Sequence, residues 1–246
     1  MKSYGVEFAD KIELKPPFKE SQPRIEEPYA SKIFYYHQLD TLQSASENKK
    51  WKWSEVRPDV IVGFVPTTKP MNAAGALAVY LSLYRYVHGE GAQCPFPGSD
   101  MAYTAKHTDT SSSILARFSI YVALHGDKTA GRAFNIGDGE VTTWEEKWPK
   151  LCEYFGLVAG QATPNANPPE EFFDKHIRIW NDIIEKEGLV KQEEPQFWFL
   201  DAVFHCDFDR QYDLSAARDI GFDEKLDTVS QYLKVFDRMR ELKYIP

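Results

Sequence analysis

The sequence has few cysteines and no long hydrophobic run. Cys94, Cys152 and Cys206 lie far apart among 246 residues, and any pairing would leave one thiol over, so we expect free thiols in a reducing compartment. The longest apolar stretch, 73–81, gives way to charge at Arg85; it is too short for a membrane span and predicts a buried helix. The first residues also lack the pattern of a secretory signal. A cytoplasmic location is therefore expected.

The chain also lacks an excess of basic residues. Lys and Arg number 29 against 37 Asp and Glu, a net charge of −8, which disfavours nucleic acid and anionic lipid as partners. A hydrophobic content of 43% supports a well-formed core. Small molecules or proteins, including a second copy of the chain, are the expected partners.

Several common metal-binding, cofactor-binding and catalytic motifs are missing from the sequence. The ligand-type side chains between His205 and Asp209 lack the separated pairs of a structural zinc site, so no metal is predicted. The glycine pairs at Gly89 and Gly137 each lack the third glycine of a dinucleotide-binding turn. No tyrosine is followed by a lysine four residues later, which is the usual active-site pair of short-chain dehydrogenases.

The pattern of elements predicts an α/β protein. Proline-rich residues 15–28 predict a surface loop, and the branched run at 60–62 predicts a strand covered on both faces. Thr143 and Glu146 form a capping-box pattern, and the helix that it opens must either start after Pro149 or kink there. The remaining expectations are helices at 30–48, 72–87, 112–124, 170–187 and 228–242 and a short strand at 133–137.

Strand signals concentrate before residue 65 and helices dominate after it. We therefore expect an incomplete Rossmann-like, doubly wound sheet fragment in residues 1–68, with an active-site segment. A mostly helical substrate or cap domain should follow in residues 69–246, which can also return strands to the sheet.

An aromatic helix start and a strand that ends in Arg-Pro carry a resemblance to a known family. The first is Phe34-Tyr35-Tyr36 and the second ends at Arg57-Pro58. Further matches in the same order are Met71-Asn72, Phe96-Pro97-Gly98, Ala133-Phe134-Asn135-Ile136, Gly139-Glu140-Val141, Trp144, Trp148, Phe155-Gly156, Gly221-Phe222 and Lys243-Tyr244-Ile245-Pro246. Over nearly its whole length the chain resembles the progesterone 5β-reductase/iridoid synthase-like (PRISE) branch of the extended short-chain dehydrogenases/reductases.

The resemblance implies an NADPH-dependent reductase that delivers hydride to the β-carbon of an enone or enal of a small hydrophobic metabolite. Tyr35 is implied as the catalytic tyrosine, and Lys2, in a segment shared with Tyr4 and Gly5, as the lysine that tunes it. A phenol placed at the carbonyl oxygen stabilises the developing enolate. The implied nicotinamide contacts are Pro58, Val60, Ile61 and Gly63, and the implied substrate-pocket walls are Phe8, Trp198 and Phe199.

Other interpretations stay open. Relatives in this family hold the pyrophosphate on a Gly-x-x-Gly-x-x-Gly turn, and this sequence contains none. The resemblance places that turn ahead of Met1, so the chain is also consistent with a truncated or non-catalytic module that binds a ligand or a partner. Tyr35 and Tyr36 can be packing aromatics of an amphipathic helix. An epimerase or dehydratase of the same superfamily is a further alternative, although it should carry Tyr-x-x-x-Lys.

Overall fold

The computed structural model describes residues 2–66, 73–139, 141–163, 166, 168–191, 195 and 197–246. Met71, Asn72 and Glu140, three of the matched residues, lie outside this description. The described helices are α1 Phe34–Ser46, α2 Ala73–His88, α3 Asp100–Thr104, α4 Ser112–Leu124, α5 Gly126–Thr129, α6 Trp144–Tyr154, α7 Pro169–Glu187, α8 Phe197–Phe204, α9 Ser215–Asp219 and α10 Thr228–Glu241. The described strands are β1 Ser54–Pro58, β2 Ile61–Val62, β3 Gln93–Phe96, β4 Thr110–Ser111, β5 Arg132–Ile136 and β6 Val158–Ala162.

The chain divides into two compact units whose segments alternate along the sequence. The first unit comprises Met1–Asp59, His107–Val141 and Asp209–Leu226, and the second comprises Val60–Lys106, Thr142–Phe208 and Asp227–Pro246. The sequence pattern instead predicts two consecutive domains with one boundary, at residue 68. The difference arises because β5 returns to pair with β1, and parallel strands can be joined only by a long crossover.

In the first unit, β1 and β5 form a parallel pair in which Val56 lies opposite Phe134. α4 covers this pair, and its Phe118 ring lies 5.8 Å from that of Phe134 and 4.8 Å from that of Phe222. α4 begins where expected, because the Ser111 side chain accepts a hydrogen bond from the Ile114 amide. Burial of these aromatic rings supplies the hydrophobic stabilisation of the unit.

The strand expected at 60–62 is only partly confirmed. Val60 and Val62 are buried, but Ile61 between them is 40% exposed. The branched run therefore alternates between covered and open sides, and the expectation that both faces are covered is wrong at Ile61. A run of three branched residues cannot by itself distinguish these two cases.

The second unit is built around the buried helix α2, which the apolar stretch 73–81 predicted. Leu77, Ala78, Tyr80 and Leu81 have no exposed surface. β3 and β6 form a second parallel pair, and the ring of Phe96 in β3 packs 4.8 to 5.7 Å from several aromatic rings. Those rings belong to Tyr103, Trp144, Trp148 and Phe204.

Two helices of this unit differ from the sequence expectations. α6 begins at Trp144, behind the complete capping box of Thr143 and Glu146, and continues through Pro149; the later start is therefore wrong. Burial of Trp148 and Leu151 offsets the backbone hydrogen bond that the proline removes. α7 spans the expected range, but His176 has φ −114° and ψ 16°, which breaks it into two helical parts.

Candidate active site

The segment that carries Lys2 is anchored by Tyr4. Residues Lys2–Tyr4 and Val6–Phe8 form two short 3₁₀ helices around Gly5. The Tyr4 ring stacks on Phe18 at 4.7 Å, and its buried hydroxyl donates to Asn135 Oδ1 at 2.6 Å. Burial raises the pKa of Tyr4, so this phenol stays protonated and serves as a hydrogen-bond donor at neutral pH.

Asn135 joins three separate segments of the first unit. Its Nδ2 donates to the Phe18 carbonyl at 2.9 Å and to the Asp213 carbonyl at 3.3 Å. Its backbone amide donates to the Glu20 carboxylate at 2.5 Å, and burial raises the pKa of Glu20. A buried amide with its groups satisfied in this way fixes the end of β5 relative to the N-terminal segment.

Arg57, the arginine of the Arg-Pro motif, completes this network. Its Nη1 donates to the Tyr4 hydroxyl at 3.3 Å, and its Nη2 pairs with Glu55 at 2.7 Å. Burial acts to lower the pKa of Arg57, but the hydrogen bond and charge of Glu55, with Tyr4, raise it above its usual value. The motif therefore has a structural role, which the sequence reasoning missed.

The second tyrosine of the Phe-Tyr-Tyr segment also has a structural role. The Tyr36 hydroxyl donates to the Ser3 carbonyl at 2.8 Å and accepts from the Ile25 amide at 3.2 Å. Tyr36 is 6% exposed, and the Arg24 guanidinium lies 4.7 Å from its ring centroid. This tyrosine ties the lysine segment to α1.

Tyr35, one residue earlier, is 39% exposed. Its ring lies 4.1 Å from that of Phe34, and its hydroxyl makes no hydrogen bond within the described part of the chain. The Lys2 ammonium lies 5.9 Å from the Phe34 ring centroid and 3.6 Å from the Glu7 carboxylate. The two predicted catalytic residues, Lys2 and Tyr35, therefore both lie next to Phe34.

The predicted nicotinamide contacts fall on and just after β1. The Pro58 carbonyl accepts from the Tyr212 hydroxyl at 3.1 Å in the first unit. In the second unit, Val60 and Gly63 are buried, whereas Ile61 is exposed. Their part in cofactor binding stays a prediction.

Asp59, which follows Pro58, forms a buried ion pair that the sequence analysis did not anticipate. Its Oδ2 lies 2.7 Å from Arg210 Nη1, and both side chains are at most 2% exposed. The Asp59 amide donates to Thr110 Oγ1 at 3.1 Å, and that hydroxyl donates to the Ile136 carbonyl at 2.8 Å. These bonds fix the chain at the point where β1 ends.

The predicted substrate-pocket residues lie in different units. In the first unit, the ring of Phe8 packs 5.0 Å from Tyr29, and the Lys32 ammonium lies 6.0 Å from the Phe8 centroid. In the second unit, Trp198 is 49% exposed on α8, with its ring 5.7 Å from Phe199. Their contact with a substrate stays a prediction.

The described residues contain neither a metal-binding cluster nor a membrane-spanning helix. Within the described ranges, no group of three or more His, Cys, Asp or Glu residues could hold a metal ion. In that same part of the chain, no helix combines the length and apolar character needed to cross a bilayer. Cys94 and Cys152 are buried free thiols, and Cys206 is partly exposed.

The chain matches a known protein family over its whole length. A family model described as a PRISE-like Rossmann-fold domain matches residues 1–246. The chain belongs to the PRISE-like Rossmann-fold family. Among its PRISE-like relatives, the short chain dehydrogenase ausT of Aspergillus calidoustus is 35% identical over 253 residues, covering 99% of this chain and 62% of the relative. The (S)-8-oxocitronellyl enol synthase of Catharanthus roseus is 27% identical over 237 residues, covering 94% of this chain and 58% of the relative.

The PRISE-like chain thus spans less than two thirds of the length of these relatives. Its fold is also similar to that of GDP-mannoheptose C4 reductase from Campylobacter jejuni with NADP bound. That similarity has a TM-score of 0.57 and 14% identity, and it covers 93% of this chain and 63% of the other. It supports the Rossmann-like α/β fold that the sequence predicted.

Proposed function

We propose that this chain is the catalytic part of an NADPH-dependent reductase that reduces the activated C=C bond of a small hydrophobic enone or enal. The observation that carries the proposal is the contrast between two neighbouring tyrosines. Tyr36 is buried and bonded to Ser3, whereas Tyr35 is exposed and its hydroxyl forms no hydrogen bond with any residue that the structure describes. A phenol held on a helix with a free O–H is suited to act on a bound substrate.

Tyr35 would donate a hydrogen bond or a proton to the substrate carbonyl oxygen as negative charge develops there. Such stabilisation of an enolate is electrostatic, and its effect is greatest where water is excluded. Phe34 beside Tyr35 presents an apolar surface on the same exposed side of α1. The naming of two relatives as (S)-8-oxocitronellyl enol synthase is consistent with chemistry that passes through an enol or enolate.

Lys2 would place a positive charge near the developing oxyanion. In the free protein its ammonium lies 3.6 Å from Glu7 and is 45% exposed, so this contact is weak and can be exchanged for another partner. The hydrogen bond from Tyr36 to Ser3 holds the adjacent backbone. Lys2 can therefore change partners while its segment stays attached to α1.

The cofactor would supply the hydride when bound. The fit of this chain to NADPH is partial: the segment after β1 offers the exposed Ile61 beside buried Val60 and Gly63, but the sequence has no Gly-x-x-Gly-x-x-Gly turn for the pyrophosphate. We therefore propose that the segment after β1 contacts bound NADPH, and titration of this chain with NADPH tests that contact.

The test is NADPH oxidation with a panel of small enones, comparing the chain with its Tyr35→Phe and Lys2→Met variants. Loss of a general acid lowers kcat/KM by about 10²- to 10⁴-fold, so we expect a fall of that order for Tyr35→Phe. Tyr86→Phe, which changes an exposed tyrosine of α2, serves as the matched control and should leave the rate unchanged. Equal rates for Tyr35→Phe and the control would remove Tyr35 from the mechanism.

A second candidate is a non-catalytic module that binds a hydrophobic ligand, and the missing glycine turn favours it. Titration of the chain with NADPH, followed by cofactor fluorescence, separates the two. Absence of any change in fluorescence would overturn cofactor binding by this chain and favour the module.

A further inference from the structure

The first unit contains a pocket of about 210 Å³ that none of the assignments above uses. It lies beside the turn at Gly139 and the short helix α9. Its walls combine apolar and cationic side chains, namely Val141, Leu214, Arg218 and Lys225. The pocket therefore offers positive charge next to a small apolar surface.

Arg218 is held in a fixed orientation. Its Nη1 donates to the carbonyls of Phe222 and Glu224 at 2.7 and 2.8 Å. These bonds leave the opposite edge of the guanidinium, at Nη2, facing Gly139. A guanidinium whose orientation is already fixed loses little entropy when it binds an anion.

Lys225 is exposed and makes no ion pair with any residue that the structure describes. Two carboxylates close to Lys225 or to the pocket in the sequence, Glu224 and Asp213, already have cationic partners. Glu224 forms two contacts with Arg117, at 2.7 and 2.9 Å, and Asp213 pairs with Lys19 at 3.3 Å. The two cations of the pocket thus lack a described counter-charge.

Gly139 leaves room for the side chains of both Arg218 and Lys225. Its φ is +109°, and a Cβ placed there would lie 2.9 Å from Lys225 Cγ and 3.2 Å from Arg218 Nη2. Any larger residue would be strained in this conformation and would push both side chains away. The glycine therefore leaves space beside an arginine and a lysine, whose like charges repel each other and favour an anion between them.

We propose that this pocket binds a phosphoryl dianion, either free phosphate or the phosphate group of a small metabolite. A dianion matches the two positive charges, and guanidinium and ammonium groups are the usual side-chain donors to phosphate. Val141 and Leu214 would contact the carbon atoms next to the phosphate in a metabolite. The proposal goes beyond the reductase function and does not depend on it.

The test is isothermal titration of the whole chain with inorganic phosphate, and separately with acetate, at constant ionic strength and without NADPH. We expect phosphate to bind and acetate to bind more weakly. Because a charge-assisted hydrogen bond contributes more than a neutral one, Lys225→Met should weaken phosphate binding by about tenfold. Lys50→Met, which removes another exposed lysine of the same unit, is the matched control and should not change the affinity.

Gly139→Ala should also weaken phosphate binding, and its melting temperature shows whether the variant is folded. If that variant does not fold, the test rests on Lys225→Met, because Lys225 is exposed and its replacement should not disturb the fold. Equal phosphate affinities for Lys225→Met and Lys50→Met, or no binding to the unaltered chain, would overturn the proposal.

Discussion

The Tyr36 hydroxyl donates a 2.8 Å hydrogen bond to the Ser3 carbonyl, 33 positions away in the sequence. This bond attaches the backbone next to Lys2 to the helix that carries Tyr35. The two residues that the family resemblance implies in catalysis are therefore joined through a third, buried residue. In this reading, Tyr36 is a positioning residue.

Replacing Tyr36 by Phe should destabilise the protein. The Ser3 carbonyl and the Ile25 amide would both lose a partner; both bonds are only partly buried, so we expect a loss of about 1 kcal/mol, the lower end for an unsatisfied polar group. Urea unfolding followed by circular dichroism measures the change. Tyr35→Phe is the matched control, since its hydroxyl is unengaged, and an equal loss of stability in both variants would contradict the division of roles.

Breaking the buried ion pair of Asp59 and Arg210 should destabilise the protein more than Tyr36→Phe does. Arg210→Met would leave Asp59 charged and buried, which costs about 3 to 5 kcal/mol. The double variant Asp59→Leu with Arg210→Met should recover part of that loss, because it removes both charges of this ion pair. The free energy of unfolding from chemical denaturation checks both.

An exposed ion pair provides the comparison for this prediction. Arg238 and Glu241 lie 2.9 Å apart on α10, and both are more than half exposed. Arg238→Met should cost less than about 1 kcal/mol. If Arg210→Met were as mild, the pair at Asp59 would not hold the end of β1 as described.

The raised pKa of Asp201, on α8, predicts that the stability of the protein depends on pH. Burial, followed by the negative charge of Glu170, raises the pKa of Asp201 to about 6. Because the folded-state pKa lies above the unfolded value, this group stabilises the fold fully below about pH 4, and that contribution is lost as the pH rises through about 6. The folded protein then carries a carboxylate that is poorly solvated.

Asp201→Asn should therefore raise the stability at pH 7 and leave it little changed at pH 4. The side chain is only half-buried, so after solvent screening the gain should be about 1 kcal/mol. Melting temperatures at pH 4 and pH 7 test this, with Asp174→Asn on the exposed side of α7 as the control. A gain of equal size at both pH values would exclude ionisation of Asp201 as its cause.

The sequence predicted those elements whose signals are local. α4 was placed correctly because Ser111 caps a helix whose apolar residues recur at helical spacing. The sequence left the start of α6 open between Trp144 and a position after Pro149, because the cost of Pro149 is local, whereas the burial that offsets it comes from rings distant in the sequence. Local rules describe a segment well until tertiary packing outweighs them.

The candidate site was only partly predictable for a related reason. Tyr35 and Lys2 could be named from family motifs, but the hydrogen bond from Tyr4 to Asn135 joins residues 131 positions apart. Asn135 appears in the sequence as one polar residue in an otherwise apolar strand, which is a signal for a buried partner but not for its identity. Similarly, Arg57 was recognised as a motif residue, but its partner Glu55 becomes evident only in the folded chain.

The capping box of α6 gives the last prediction. Thr143 Oγ1 accepts from the Glu146 amide at 3.2 Å, and the Glu146 carboxylate accepts from the Thr143 amide at 3.1 Å. Thr143→Ala should lower the free energy of unfolding by about 1 kcal/mol, whereas Thr41→Ala, within α1, lacks this capping role and should cost less. Because Pro149 already removes one hydrogen bond from this short helix, loss of the cap should also expose Trp148 to partial opening of the helix. Acrylamide quenching of tryptophan fluorescence tests this expectation. Quenching that increases in Thr143→Ala but not in Thr41→Ala would support this coupling between the cap and the aromatic core. Unchanged quenching would show that packing alone holds α6 in place.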